Sequence, residues 1–204
     1  MMYYFKSSYT GKGSDGTTLP DALKPHPLIA AFNAMNYTAY TLGNHEFNRP
    51  LATLKKLLNL FQYPMLCANT VGFSPDTPLR ESAIREVGPL KIGIFGLVTT
   101  EYVDYQAHKE GIRIVSEIET AKRMASALCP KADIVIALSH AGEKVDAQIA
   151  ATVPGIDIIV GGHSHSRLPS GELIWHSDQL KAKEVNGTII VQAYQWGGEL
   201  GRLD

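Results

Sequence analysis

The fold is decided by the stretch Asp-Ile-Val-Ile-Ala-Leu-Ser-His-Ala-Gly at residues 133–142. Its apolar half predicts a buried strand, and its polar half predicts a tight turn that places His140 at the carboxyl end of that strand. Two other apolar runs end in the same way, in the turns Gly-Asn-His-Glu at 43–46 and Gly-Gly-His-Ser-His at 161–165. Three predicted strands therefore end in turns that contain histidine.

Helices are predicted between these strands. Pro27 and Pro50 each stand at a favoured first helical position, and apolar residues follow them at helical spacing. Ser116 and Glu119 form a capping box ahead of a third helix, and a fourth is predicted around residues 145–153. The predicted strands are residues 38–42, 65–68, 82–87, 90–98, 133–138, 156–160 and 188–193. The third and fourth of them, joined by Gly-Pro, are expected to form a hairpin or meander, and not a helical crossover. This alternation predicts an α/β sandwich with sheets covered on both faces.

Composition excludes several classes of protein. The chain has 204 residues, of which 45% are hydrophobic and 19% charged, with 19 Lys and Arg against 20 Asp and Glu. At roughly 150 residues per domain, this length predicts one domain with one sizeable core. The high hydrophobic fraction and the low net charge exclude a disordered chain. The balance of basic and acidic residues argues against a nucleic-acid polymer as partner. No apolar run approaches the ~20 residues of a membrane helix, so we expect no membrane partner.

Three further sequence features concern a loop, the two cysteines and the first five residues. Gly, Ser and Thr are frequent in residues 7–19, which predicts a loop. Cys67 and Cys129 each lie in an apolar stretch, and we interpret both as buried thiols. Residues 1–5 lack the basic and apolar segments of a signal peptide, so we do not expect the chain as written to be exported.

The histidine-containing turns predict a metal site. The carboxyl ends of parallel strands meet at one edge of a sheet, where α/β proteins bind ligands. The side chains expected to converge there are Asn44, His45, His140, His163 and His165. Imidazoles with an amide oxygen suit a borderline divalent ion such as Zn, Mn or Fe. One histidine at a strand end is more often an ordinary polar residue than a ligand, but three such turns reverse that balance.

The three turns, in this order, resemble the second half of the signature of calcineurin-like metallophosphoesterases. Tyr-Thr-Leu-Gly-Asn-His-Glu-Phe-Asn at 40–48 and Val-Gln-Ala at 191–193 resemble more narrowly the branch of 5′-nucleotidases and 2′,3′-cyclic-nucleotide 2′-phosphodiesterases. Asn48 matches the cyclic phosphodiesterase/3′-nucleotidase pattern, whereas 5′-nucleotidases usually carry Asp there. The resemblance covers almost the whole chain. It implies that residues 1–204 form one metallophosphoesterase domain, a layered α-β-β-α sandwich that lacks its first strands.

The resemblance also implies roles for the residues of the turns. The implied ligands of one ion of a dinuclear site are Asn44, His140 and His163, with His165 as a ligand of the other. His45 is then the catalytic histidine, which stabilises or protonates the departing ribose oxygen. Asn48 stands where relatives use Asp to orient that histidine. The implied activity is hydrolysis of nucleotide phosphate esters, of the 2′,3′-cyclic-nucleotide phosphodiesterase/3′-nucleotidase type, with Mn, Zn, Co or Fe as cofactor.

Two parts of the family pattern are missing from this sequence. One comprises the initial Asp-x-His and Gly-Asp turns, which supply two aspartates and a histidine to the metals, and the other is the carboxyl-terminal substrate domain. We therefore expect an incomplete domain that binds about one ion instead of two and has weak or no activity. Two alternatives remain open: a non-catalytic metal-binding remnant or interaction domain, and a phosphoesterase for other small phosphate esters. Relatives are mostly periplasmic or extracellular.

Overall fold

The structure, a computed structural model, describes residues 27–48, 50–101, 109–168 and 187–203. Within these ranges the helices are α1 (Pro27–Ala34), α2 (Leu51–Leu58), α3 (Glu117–Leu128) and α4 (Glu143–Thr152), with a 3-10 helix at Asn44–Asn48. The strands are β1 (Tyr40–Thr41), β2 (Met65–Leu66), β3 (Thr70–Val71), β4 (Leu79–Arg80), β5 (Ser82–Val87), β6 (Leu90–Val98), β7 (Arg113–Ile114), β8 (Ile134–His140), β9 (Ile158–Val160) and β10 (Ile189–Val191). The predicted loop at 7–19 lies outside the described residues.

The described strands form two main sheets that are mostly parallel. The larger has the order β10-β9-β8-β6-β5, in which β5 alone runs antiparallel to its neighbour. The smaller has the order β1-β2-β4 and is parallel throughout. A short antiparallel pair joins β3 and β7. The two main sheets meet where β1 and β2 contact β6, which brings the carboxyl ends of β1 and β8 to the same region.

The first core lies between the larger sheet and helices α3 and α4. At the start of α3, Ser116 Oγ accepts a hydrogen bond from Glu119 N at 3.3 Å, which confirms Ser116 as the N-cap residue. The Glu119 carboxylate pairs with Lys122 Nζ at 2.8 Å. The side chains buried in this core include Phe95, Leu97, Ala121, Met124, Leu128, Val135, Ile149 and Ile159. Full burial of one large apolar side chain contributes about 1.5–3 kcal/mol. This core therefore stabilises the strand pair β8–β9, from which two of the histidine-containing turns emerge.

The second core lies between α1, α2 and the smaller sheet. Its buried side chains include Phe32, Leu42, Phe47, Leu54, Leu58, Met65 and Val98. Phe47 belongs to the 3-10 helix and is 1% exposed. Burial of this ring holds in place the helix that contains Asn44 and His45. Helices thus lie on the outer side of each sheet, which confirms the predicted α-β-β-α architecture of mixed α/β type.

Most of the predicted elements are confirmed. Strands β5 and β6 have the predicted bounds, β8 continues two residues further than predicted, to His140, and β1, β2, β9 and β10 are shorter. The hairpin of β5 and β6 pairs Ser82 with Phe95 and Val87 with Leu90. The strand predicted at 38–42 is reduced to two residues, and a 3-10 helix follows it within three residues. Strands β3, β4 and β7 were not predicted, because two residues are too few for an alternating pattern. No helix within the described ranges is long and apolar enough to cross a membrane.

The interpretation of both cysteines as buried is wrong for one of them. Cys67 is buried and Cys129 is exposed. Cys129 directly follows the end of α3, and the buried positions of that helix end at Leu128. It therefore lies beyond the last buried residue of the helix, and its thiol donates a hydrogen bond to Gly155 O at 3.3 Å.

Candidate metal and catalytic site

Three turns at strand ends bring Asn44, His140 and His163 together. His140 is the last residue of β8, which runs parallel to β6 and β9 on either side. Its Nε2 atom lies 3.1 Å from Asn44 Oδ1, and the ring centroids of His140 and His163 are 5.3 Å apart. We call these three residues the ligand cluster. The structure places them side by side, and their role as metal ligands remains a prediction.

Close approach at the ligand cluster requires glycine at position 43. A Cβ atom at Gly43 would lie 2.9 Å from His140 Nε2 and 2.9 Å from Glu46 Oε2. Real Cβ atoms do not approach other atoms so closely, so a side chain at this position would displace the His140 ring. Glycine in the Gly-Asn-His-Glu turn therefore allows the two turns to touch.

The imidazoles of the ligand cluster are neutral at pH 7. Burial, with a smaller contribution from neighbouring His163, lowers the pKa of His140 to about 3. Burial also lowers the pKa of His163, while Glu101 opposes that shift. Glu101 Oε2 lies 3.8 Å from His163 Nε2, and sequence analysis did not consider this carboxylate. Neutral imidazole is the form that binds a metal ion.

The donors of the ligand cluster fit a borderline divalent ion. Two neutral imidazoles and one amide oxygen are the nitrogen and oxygen ligands that Zn, Mn and Fe accept. Within the described ranges, no group of three or more His, Cys, Asp or Glu side chains is arranged to hold a metal. The cluster therefore depends on Asn44 as its third donor. Asn44 is 3% exposed, and its oxygen faces His140.

His45 and Asn48 form a hydrogen-bonded pair on the 3-10 helix. A 3-10 helix has three residues per turn, so positions i and i+3 lie on the same side. Asn48 Nδ2 lies 2.9 Å from His45 Nδ1. The amide NH2 can only donate, so Nδ1 accepts and the neutral ring carries its proton on Nε2. Asn48 thus orients the His45 ring and leaves Nε2 as its second nitrogen for another partner.

His165 lies at the margin of the ligand cluster. It is exposed, and its ring centroid is 6.2 Å from that of Trp196, which is 68% exposed. Its charge lowers the pKa of both His140 and His163, which places it within electrostatic range of the cluster. Its assignment as a ligand of a second ion remains a prediction.

Glu46 is a buried carboxylate that sequence analysis did not single out. Its Oε2 atom accepts a hydrogen bond from Gly43 N at 2.5 Å, and Oε1 has no hydrogen-bond partner among the described residues. Burial raises the pKa of this carboxyl group. Glu46 stabilises the turn that presents Asn44 and His45 by accepting from its backbone.

Asp146 is a second buried carboxylate that sequence analysis missed. It is 0% exposed, on the inner side of α4. Its Oδ1 atom accepts a hydrogen bond from Ser139 Oγ at 2.5 Å, and Ser139 Oγ accepts one from Ala141 N at 3.1 Å. These bonds fix the backbone on both sides of His140. The available signal was a charged residue among the buried positions of an amphipathic helix.

We expect Asp146→Asn to stabilise the chain more at pH 8 than at pH 5.5. Burial raises the pKa of Asp146 from 3.8 to about 7. The folded state therefore binds more protons than the unfolded state between these values, and the free energy of unfolding falls as pH rises through that window. Asn carries no charge at either pH, so its stabilisation should be about 2 kcal/mol larger at pH 8. Urea unfolding with a chelator present measures both values.

The control for this prediction is Glu86→Gln, which replaces an exposed carboxylate of β5. We expect its effect on the free energy of unfolding to be the same at both pH values. An Asp146→Asn effect that is equal at pH 5.5 and pH 8 would show that burial does not perturb this carboxyl group.

The fold and the ligand cluster together define a class: an α/β sandwich with a histidine and amide site at the ends of its parallel strands. The sequence model of the family described as calcineurin-like phosphoesterase matches residues 14–167. The chain belongs to the calcineurin-like phosphoesterase family, whose members use divalent metal ions.

Curated relatives and solved structures of this family are similar to the chain over most of its length. The trifunctional nucleotide phosphoesterase of Bacillus subtilis is 31% identical over 206 residues, which cover 89% of this chain and 14% of that protein. The 2′,3′-cyclic-nucleotide 2′-phosphodiesterase/3′-nucleotidase of Salmonella typhimurium is 31% identical over 88% of this chain and 31% of its own length. The crystal structure of a 5′-nucleotidase precursor from Thermus thermophilus has a TM-score of 0.67 and 27% identity, covering 83% of this chain and 36% of that one. The chain thus spans about a third or less of these relatives.

Proposed function

We propose that this chain forms the metal-binding part of a phosphoesterase that hydrolyses nucleotide phosphate esters. The observation that carries the proposal is the contact of His140 with Asn44 at 3.1 Å, beside His163. Each residue comes from a different strand end, and such a meeting of neutral nitrogen and amide donors suits a divalent ion. The relatives named as nucleotide phosphoesterases and nucleotidases support a small nucleotide as substrate.

In this proposal the ligand cluster holds one divalent ion, and His165 contributes to a second in a longer protein. The chemistry supplied by divalent ions, when bound, is the activation of water and the neutralisation of charge on the phosphoryl oxygens. The candidate metals are Mn, Zn, Co and Fe. Two aspartates and a histidine from the family's first two turns complete the dinuclear site in the longer protein.

His45 is the proposed proton donor to the leaving ribose oxygen. Its Nδ1 lies 2.9 Å from Asn48 Nδ2, a contact that orients the ring and leaves Nε2 as the nitrogen for proton transfer. The proton passes from the imidazolium form of His45 to the leaving oxygen, and neutral imidazole remains. A neutral amide stabilises that cation less than the carboxylate usual in 5′-nucleotidases would. The substrate subclass proposed from Asn48 is a 2′,3′-cyclic nucleotide or a 3′-nucleotide.

The proposal is tested by comparing two chains for turnover of 2′,3′-cyclic AMP and 3′-AMP. One is the 204-residue chain, and the other is extended at its amino end by a segment with the family's Asp-x-His and Gly-Asp turns. We expect the first to stay near the background rate of metal alone, and the second to exceed it by ~10²-fold or more. Both are measured separately with Mn, Zn and Co at matched metal content.

Three outcomes would count against the proposal. An extended chain that binds metal but hydrolyses no ester would favour the non-catalytic metal-binding domain. Equal turnover of nucleotides and of p-nitrophenyl phosphate would favour a phosphoesterase for other small esters. High activity of the 204-residue chain alone would show that the absent turns are not needed for the site.

A further inference from the structure

The two histidines of the Gly-Gly-His-Ser-His turn have an unusual backbone conformation. The φ angle is 71° at His163 and 54° at His165, in the left-handed region that favours glycine. A residue with a side chain is strained there, and such strain persists where surrounding contacts enforce it. The contacts that hold this turn therefore also decide where both imidazoles lie.

The side chain of Gln192 makes such contacts. Gln192 directly follows β10 and is 5% exposed. Its amide oxygen accepts hydrogen bonds from His165 N at 3.1 Å and from Ser166 N at 2.9 Å, and its NH2 group donates to Ser164 Oγ at 3.1 Å. This orientation of the amide satisfies all three partners, whereas the reverse would place NH2 against two N–H donors.

The backbone of β10 brings Gln192 to the turn. β10 pairs in parallel with β9, and Gly161 N, just past β9, donates to Val191 O at 2.7 Å. A Cβ atom at Gly161 would lie 3.4 Å from the Gln192 amide and 2.7 Å from Asp146 Oδ2. Glycine at position 161 thus leaves room for two buried polar side chains beside the turn.

We propose that Gln192 is a positioning residue that holds His163 and His165 in the orientation for binding divalent ions. The inference rests on the metal site of the proposed function, and Gln192 acts through the backbone of the turn. Without its amide, two backbone N–H groups lose their acceptor and the strained turn can relax to ordinary φ angles. Partners that orient metal ligands typically contribute 10- to 100-fold in metal affinity.

The test compares Gln192→Leu and Gln192→Glu with the unchanged 204-residue chain. Gln192→Leu removes every hydrogen bond of the side chain, whereas Gln192→Glu keeps oxygen acceptors for the two N–H groups. Cobalt affinity is titrated through the visible absorption of the bound ion, and hydrogen exchange is followed at the amides of His165 and Ser166. The control is Gln148→Leu, the same change on the exposed side of α4.

For Gln192→Leu we expect about 10- to 100-fold weaker cobalt binding and at least ~10-fold faster exchange at both amides. We expect Gln192→Glu to restore slow exchange and to bind cobalt within about threefold of the unchanged chain. Gln148→Leu should change neither property. If Gln192→Leu does not fold, Gln192→Asn, whose amide is one methylene too short, is expected to give the same losses.

Two results distinguish this inference from the proposed function. Cobalt affinity that is equal in the unchanged chain and in Gln192→Leu overturns the role of Gln192 while leaving the metal site intact. Failure of the unchanged chain to bind cobalt overturns the metal site, and with it the role of Gln192 toward the ion.

Discussion

The His140→Ala chain is expected to bind Zn²⁺ or Mn²⁺ more than ~100-fold more weakly than the unchanged chain. Removal of a residue that only orients a metal ligand lowers metal affinity 10- to 100-fold. Removal of a ligand itself should therefore lower metal affinity further. His140 is the central donor, because it contacts Asn44 at 3.1 Å and His163 at a ring distance of 5.3 Å. Isothermal titration and elemental analysis after dialysis measure the loss. His163→Ala should show a loss of similar size.

Controls separate this loss of affinity from unfolding. The His45→Ala chain should keep the metal content of the unchanged chain, because His45 is exposed and bonded to Asn48. Circular dichroism and the urea midpoint of His140→Ala should resemble those of the unchanged chain under a chelator. Metal content that does not change in both His140→Ala and His163→Ala would contradict the ligand cluster as a metal site.

The second large effect is expected for His45→Ala in the extended chain that carries the Asp-x-His and Gly-Asp turns. Removal of a general acid costs ~10²- to 10⁴-fold in turnover. We expect kcat on 2′,3′-cyclic AMP to fall by at least ~10²-fold with unchanged metal content. The loss should be smaller for a substrate with a p-nitrophenol leaving group, which needs little protonation to depart.

Substitutions of Asn48 provide a matched test of proton transfer from His45 to the leaving oxygen. Asn48→Asp replaces the amide beside His45 with a carboxylate, which accepts from a protonated Nδ1 and stabilises the protonated ring, so we expect the basic limb of the pH–rate profile to move to higher pH. Asn48→Ala leaves the ring without its hydrogen bond and should lower kcat by about 10-fold. Loss of metal from His45→Ala would make this histidine a ligand and would contradict its assigned role.

Local pattern accounts for the elements that the sequence predicted well. The helix α3 was recognised from its capping box, and the structure has the Ser116–Glu119 hydrogen bond at 3.3 Å. The pairing of β5 with β6 was predicted, as a hairpin or meander, from two β-rich runs on either side of Gly-Pro. In both cases the deciding interactions lie within a few residues or across one turn, so a short window of sequence contains them.

The same reasoning failed where an element owes its form to distant contacts. The predicted strand at 38–42 is only two residues long, because the chain turns into a 3-10 helix whose Phe47 is buried in the second core. Cys129 was expected in the core and is exposed, since it lies beyond Leu128, the last buried residue of α3. Neither outcome is visible in apolar content alone.

The residues of the candidate site could be predicted from the sequence. Each histidine-containing turn spans only a few residues, and its chemistry follows from the residue types in it. The meeting of those turns is a property of the tertiary structure. Asn44 and His140 are 96 positions apart and touch only because β1 contacts β6 and β8. Asp146 and Gln192 reach the site in the same way, through the packing of α4 and β10. Hydrogen bonds between distant segments depend on strand order and packing, which no local pattern of residues encodes.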